Sequence, residues 1–281
     1  MLIIKDISNL QSYLTAYQNR KYSIGFVPTM GALHKGHGEL IKKSKNDNHK
    51  TIVSIFVNEK QFNSKEDFNS YPRNKGLDYD FCSDNDVDLL FEPSAEEIYN
   101  KDETILKNTN FNNILCDKFR KGHFDGVITV LDKFFRIIKS NKVYFGEKDF
   151  QQLKIIEKFI QEKYKSLDLV SVPTKRSEKG IAYSSRNEKL SKKQIQDFIN
   201  LSENYVETDE NGQKIPKTPD KTKFDRDSQD MTKWHKVDEI SNVFNRLILF
   251  NANQFHTSLD YFGQNLQDGR LFQTFFFSTE R

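Results

Sequence analysis

What the sequence lacks narrows its class first. No apolar run approaches the ~20 residues that a membrane-spanning helix needs, so no membrane partner is expected. The opening stretch, MLIIKDISNL, has no basic region followed by a long apolar one, so no secretory signal is read there. Cysteine is scarce. Cys82 and Cys116 have no metal-type spacing, and they read as reduced, buried thiols of a cytoplasmic protein. A net charge of +3 is close to neutral for this length, which excludes the clustered basic excess of a general nucleic-acid binder. There is no GxGxxG, and no Ser-His-Asp or Cys-His arrangement presents itself by spacing.

What is present is a polar-surfaced globular chain. Its 281 residues are 36% hydrophobic and 30% charged, enough for one large domain or an average domain plus a smaller one. Short apolar runs alternate with helical periodicities through the first 190 residues. Ile24 to Thr29, Thr51 to Val57, Val87 to Phe91, Lys142 to Phe145 and Asp168 to Val172 read as buried strands. Leu10, Tyr13, Leu14 and Tyr17 share one helix face. So do Val127, Val130, Leu131, Phe134, Phe135 and Ile138, and Leu153, Ile155, Ile156 and Ile160 roughly follow. Ser94-Ala-Glu-Glu97 has the capping-box pattern of a helix start. Buried strands alternating with helices predict an α/β fold with a parallel sheet covered on both faces, which binds ligands outside the C-terminal strand ends. After about residue 190 the pattern breaks. Residues 191–233 read as a helix, which Ser191 would cap, followed by a polar linker. Residues 234–281 read as a β-rich module.

The polar motifs fall at those strand ends. PTMGALHKGHGEL, Pro28 to Leu40, follows a strand and leads into a helix expected to begin near Gly36. Gly31 and Gly36 allow a tight turn, and the N–H groups of a helix start suit a phosphate. His34 and His37 lie three apart, so they share a face on which two imidazoles can donate to phosphate oxygens. His37 and Gly38 stand where a P-loop needs Lys and Ser/Thr, so this is not a P-loop. In SIFVNEKQF, Asn58 and Gln61 bring amides that both donate and accept. In YFGEKDFQQ, Gly146 ends a strand. Lys148 then suits phosphate, and Asp149 suits a ribose hydroxyl or a metal-bound phosphate. The alternative for Glu147 and Asp149 is an acidic first turn that complements the helix dipole. In KRSEKGIAYSSRN, Arg176, Ser184, Ser185 and Arg186 suit a triphosphate. RKGHFDGV adds Arg120 and His123 before a helix. Together these residues point to an ATP or phosphate site used for nucleotidyl transfer without a covalent enzyme nucleophile.

These segments, with YPR at Tyr71 to Arg73 and VDLLFEPSAEEIY, resemble the pantothenate synthetase (pantoate–β-alanine ligase) family over residues 1–190. The resemblance implies a Rossmann-like HIGH-motif nucleotidyltransferase domain. It implies pantoyl adenylate made from pantoate and ATP with Mg2+, then attack by β-alanine to give pantothenate, AMP and pyrophosphate. It implies ATP contacts from Met30, Gly31, Ala32, Leu33, His34, Lys35, Gly36 and His37, with His37 as general acid. Gly146, Glu147, Lys148, Asp149, Lys175, Tyr183, Ser184, Ser185 and Arg186 would complete the nucleotide site. Gln61 would touch pantoate and β-alanine, and Gln152 pantoate. No protein-held metal site is implied, and a homodimer is.

The chain departs from the family pattern at four places. Glu59 and Lys121 replace prolines, and Lys175 replaces an apolar residue. The family's second, closing domain leaves no recognisable pattern after residue 200. Asn245 to Phe277 instead resembles the last strands of 2-oxoglutarate/iron oxygenase β-helices, with His256 at a metal-ligand position and Arg270 at the carboxylate-pairing one. No His-x-Asp/Glu pair of the kind such a site needs occurs within residues 191–281. Two other functions remain open on the sequence. One is a related nucleotidyltransferase acting on another small carboxylic acid. The other is a non-catalytic fusion without the closing domain.

Overall fold

The structure is a computed structural model. It describes residues 1–178 and 180–189, positions 191, 193 and 195, and two short strands at 206–208 and 214–216. The chain divides into two compact units, Met1–Glu188 and Lys189–Arg281.

The first unit alternates strands and helices. The strands are β1 (Leu2–Ile4), β2 (Ile24–Thr29), β3 (Lys50–Ile55), β4 (Leu89–Phe91), β5 (Lys142–Gly146) and β6 (Asp168–Val172). The helices are α1 (Ile7–Asn19), α2 (Lys35–Asp47), α3 (Lys65–Asn69), α4 (Lys75–Asp84), α5 (Ala95–Ile98), α6 (Leu115–Phe119), α7 (His123–Ile138) and α8 (Phe150–Lys163). All six strands pair in parallel, in the order β1-β4-β3-β2-β5-β6. The five expected strands all form, and the central ones are buried on both faces.

Alternation along each strand divides the core. Phe26, Ile52, Leu89, Phe91, Val143 and Phe145 face one side, with Leu10, Phe134, Ile138 and Ile156 from α1, α7 and α8. Val27, Val53, Leu90 and Tyr144 face the other, with Leu40 and Ile41 from α2 and Cys82 from α4. Phe134 is the hub of the first side. Its ring meets those of Phe26, Phe56 and Phe91 edge-on, at centroid separations of 5.7, 6.0 and 6.2 Å. Helices on both faces are what continuous apolar strands require.

Local chemistry sets the ends. Asp6 accepts from the Asn9 amide at 2.9 Å and starts α1. Gly122, at φ 79°, admits the left-handed turn before α7. Ser94 caps α5 as its motif predicted, but Tyr99 is already extended and the helix is one turn long. The third strand stops at Ile55 rather than Val57, and the fourth begins at Leu89 rather than Val87. Cys82 is buried as expected, whereas Cys116 is only half-buried, and both thiols are free.

In the second unit, Val206–Thr208 (β7) and Lys214–Pro216 (β8) pair antiparallel. This stretch falls within the expected polar linker, so the strand pair is a departure from that expectation. The 234–281 module, with His256 and Arg270, lies outside the described residues, as does most of the helix expected after Ser191.

Candidate active site

Chain connections turn to opposite sides of the sheet between β2 and β5, the switch point at which open α/β sheets bind ligands. The loop after β2 is fastened from three directions. Tyr71 donates its hydroxyl to the Gly31 carbonyl at 2.7 Å. Ser185 donates to the Gly31 and Ala32 carbonyls at 3.2 and 2.9 Å. The buried Asp78 carboxylate accepts from the Leu33 amide at 2.6 Å. Gly31 sits at φ 71°, and a Cβ there would lie 2.6 Å from Asp78 Oδ2. Glycine is therefore required both by backbone angle and by space.

His34 is the N-cap of α2, which starts at Lys35, one residue before the expected Gly36. Its Nδ1 accepts from the Gly36 amide at 3.1 Å, and His37 Nδ1 accepts from the His34 amide at 3.3 Å. An accepting Nδ1 places the proton of each neutral ring on Nε2. The rings stack at 4.0 Å. Burial pushes the His34 imidazole down to about 4, and the Lys148 charge adds to the effect. Burial, His34 and Lys148 hold His37 well below the ordinary imidazole range. The helix start thus carries two neutral Nε2–H donors next to a lysine from the end of β5.

That lysine pairs with its neighbour. Lys148 Nζ lies 3.0 and 3.1 Å from the two Asp149 oxygens, in the 3-10 turn Glu147–Asp149 that precedes α8. Gln152 is half-buried in the first turn of α8. Neighbouring Gln151 instead ties down the 111–116 segment, accepting from the Cys116 amide at 2.8 Å and donating to the Ile114 carbonyl at 3.0 Å.

The loop after β3 places the amides. Asn58 Nδ2 donates to Gln61 Oε1 and to the Gly126 carbonyl, both at 3.1 Å, and Asn58 Oδ1 accepts from Tyr99 at 2.7 Å. Gln61 Nε2 donates to the Met30 sulfur at 3.1 Å. Both amides are buried. Glu59 and Lys121, the two positions at which prolines are replaced, are exposed, so neither change disturbs the packing.

Residues 175–186 fold back on themselves. Arg176 and Ala182 form an antiparallel bridge, and the Tyr183 amide donates to the Lys175 carbonyl at 3.1 Å. The Lys175 side chain is exposed and pairs with Glu39 at 2.9 Å, so it does not join the other cations. Tyr183 stacks over His34 at 6.5 Å, with Lys35 5.9 Å from its ring centre. Ser184 accepts from the Arg186 amide at 3.4 Å. Arg186 is buried, and its Nη2 lies 3.0 and 3.3 Å from the Asp67 oxygens. The charges of Asp149 and Arg186 both act on Arg120 and His123, so these groups share one neighbourhood. Three contributors went unpredicted. Asp67 and Asp78 carry no spacing signal, Tyr99 closes the VDLLFEPSAEEIY segment without a role assigned to it, and all three act through contacts distant in sequence.

The pantoate-beta-alanine ligase family model matches residues 2–264. The chain belongs to that family. The match extends past residue 200, into the stretch expected to carry no second-domain pattern. The pantothenate synthetase of Aquifex aeolicus is 42% identical over 206 residues, covering 73% of each chain. That of Bacillus pumilus is 44% identical over 201 residues, covering 70% of this chain and 69% of its own. Among solved structures, the Francisella tularensis ligase superposes with a TM-score of 0.66 at 38% identity, over 72% of this chain and 77% of its own. Its crystals held β,γ-ATP and β-alanine. The Thermus thermophilus enzyme gives 0.65 at 35% identity, over 70% of each chain.

Proposed function

We infer that this chain is an ATP-dependent, AMP-forming ligase that joins pantoate to β-alanine. The carrying observation is the stacked, neutral His34–His37 pair at the start of α2, with Lys148 beside it at the switch point. In the first step a pantoate carboxylate oxygen attacks the α-phosphorus of ATP. The bond to the β-phosphate bridging oxygen breaks, and pyrophosphate leaves. In the second step the β-alanine amine attacks the acyl carbon, loses a proton, and AMP leaves.

Negative charge builds on phosphate oxygens in the first step. The His34 and His37 Nε2–H groups, Lys148 and Arg186 are the donors proposed to meet it. A bound triphosphate would raise both imidazole pKa values by adding negative charge, which allows His37 to take up and return a proton there. The Met30–His37 loop, Gly146–Asp149 and Tyr183–Arg186 are proposed to hold the nucleotide. Lys175 would contribute only its backbone, since its ammonium is engaged at the surface. Asn58, Gln61 and Gln152 are proposed to receive pantoate, and Gln61 also β-alanine. Among the described residues no group of three or more His, Cys, Asp or Glu could hold a metal. We therefore propose that Mg2+ enters as MgATP, on the phosphates. A homodimer and a cytoplasmic location are part of the same reading and follow from the family.

The test is pyrophosphate release from ATP, measured with pantoate alone and then with β-alanine. Release that requires pantoate supports the reading. Release driven equally by another small carboxylic acid would move the substrate assignment elsewhere in the nucleotidyltransferase class.

A further inference from the structure

The loop after β3 lies against the start of α7, and two side chains there have no role in the reaction as described. His123 is the first residue of α7, and Arg120 caps the preceding helix. Each is 4% exposed. His123 Nδ1 lies 2.7 Å from the Gln61 carbonyl oxygen. A carbonyl only accepts, so the ring proton sits on Nδ1. That leaves Nε2 as an acceptor, and Arg120 Nη1 lies 3.2 Å from it. The ring is thus held in the tautomer opposite to that of His34 and His37. Arg120 is itself anchored, with Nη2 3.9 Å from Asp67.

We propose that His123, oriented by Arg120, is a positioning residue that sets the Gln61 side chain for the carboxylate substrate. Gln61 is buried in the 3-10 turn Glu59–Gln61, and its carbonyl is fixed by His123 from the α7 side. Its side chain then spans from Asn58 to the Met30 sulfur. Without the His123 donor, the Gln61 carbonyl would be buried and unpaired, and the turn would shift to solvate it. Burial and the Arg120 charge push His123 down to about 3, so the ring stays neutral and keeps a single donor direction. The inference rests on the function proposed above only for the identity of the substrate, not for the geometry.

Two polar variants separate the contacts. His123→Asn places an N–H donor where Nδ1 was. His123→Gln reaches the Nε2 position and keeps a partner for Arg120, but has no donor toward Gln61. The full chain is labelled with 15N-glutamine, and the Gln61 side-chain amide signals are assigned by their loss in Gln61→Ala. The signals are expected to move in His123→Gln and to remain near their wild-type position in His123→Asn. The KM for pantoate should rise ~10-fold in the Gln variant, with KM for ATP unchanged, and largely recover in the Asn variant. Gln61 signals that stay in place in His123→Gln, or that move equally in both variants, overturn the positioning role. Absence of pantoate-dependent turnover in the wild type would instead refute the proposed function, while the Gln61 signals still decide the positioning.

Discussion

Replacing Gly126 with alanine probes the joint on which the proposed acid site is built. A Cβ at Gly126 would lie 2.3 Å from the Lys60 carbonyl oxygen and 2.7 Å from the Gln61 amide nitrogen. Ordinary van der Waals contact for a Cβ begins at 3.4 Å. Both neighbours are backbone, so no side chain can rotate away. The start of α7 and the 3-10 turn must separate by about 1 Å, a displacement that in an active site costs on the order of 10²-fold in rate. The same opening stretches the bond from Asn58 Nδ2 to the Gly126 carbonyl, now 3.1 Å. Overpacking should also cost about 1–3 kcal/mol of stability. The matched control is Gly76→Ala in α4, where a Cβ meets nothing within 4 Å. That change should stabilise by up to ~1 kcal/mol and leave turnover intact. The assay is kcat/KM for pantoate, read as pyrophosphate release at saturating ATP, beside thermal unfolding. A Gly126→Ala chain with wild-type kcat/KM and unfolding midpoint would refute the argument that this close approach sets the Gln61 site.

Other consequences follow from the same geometry. His37→Ala should lower kcat by about 10²-fold or more while the circular dichroism spectrum stays native, because one proposed phosphate donor is lost and the core is untouched. Lys175→Ala should change activity by less than about threefold, since exposed ion pairs such as the one to Glu39 contribute only ~0–1 kcal/mol. Unfolding should take up protons in mildly acidic solution. His34, His37 and His123 have folded pKa values lowered from 6.5, so their stabilising contribution is full above pH 6.5 and is lost as pH falls toward the folded values. At about pH 5.5 His34 and His123 should each bind close to one proton on unfolding, a slope of about 1.4 kcal/mol per pH unit for each of the two. Calorimetry in buffers of different ionisation enthalpy measures that uptake, and none at all would contradict the neutral-ring assignment.

The strands and the polar loops at their ends were legible because their signals are local. An apolar run stopped at Pro28 and followed by glycines and a paired HxxH states its own geometry. So does Gly146 before an acidic first turn. What was not legible comes from contacts distant in sequence. Tyr71 reaches Gly31 across 40 residues, Asp78 reaches the Leu33 amide across 45, and Gly126 meets the Gln61 turn from 68 residues beyond Asn58. Nothing in the spacing of Asp78 distinguishes it from a solvated acid on a helix. The tautomers were likewise hidden, because His34, His37 and His123 differ only in which ring nitrogen meets a backbone group. The one-turn α5 had its cap written plainly. Its length was decided by the extended backbone at Tyr99, which serves Asn58 instead.

The most direct measurement is pyrophosphate release from MgATP by the wild-type chain with pantoate present and β-alanine withheld. The paired imidazoles, Lys148 and the buried amides predict release that depends on pantoate, with pantothenate and AMP appearing when β-alanine is added. No pantoate-dependent release would contradict the assignment of this site to carboxylate adenylation.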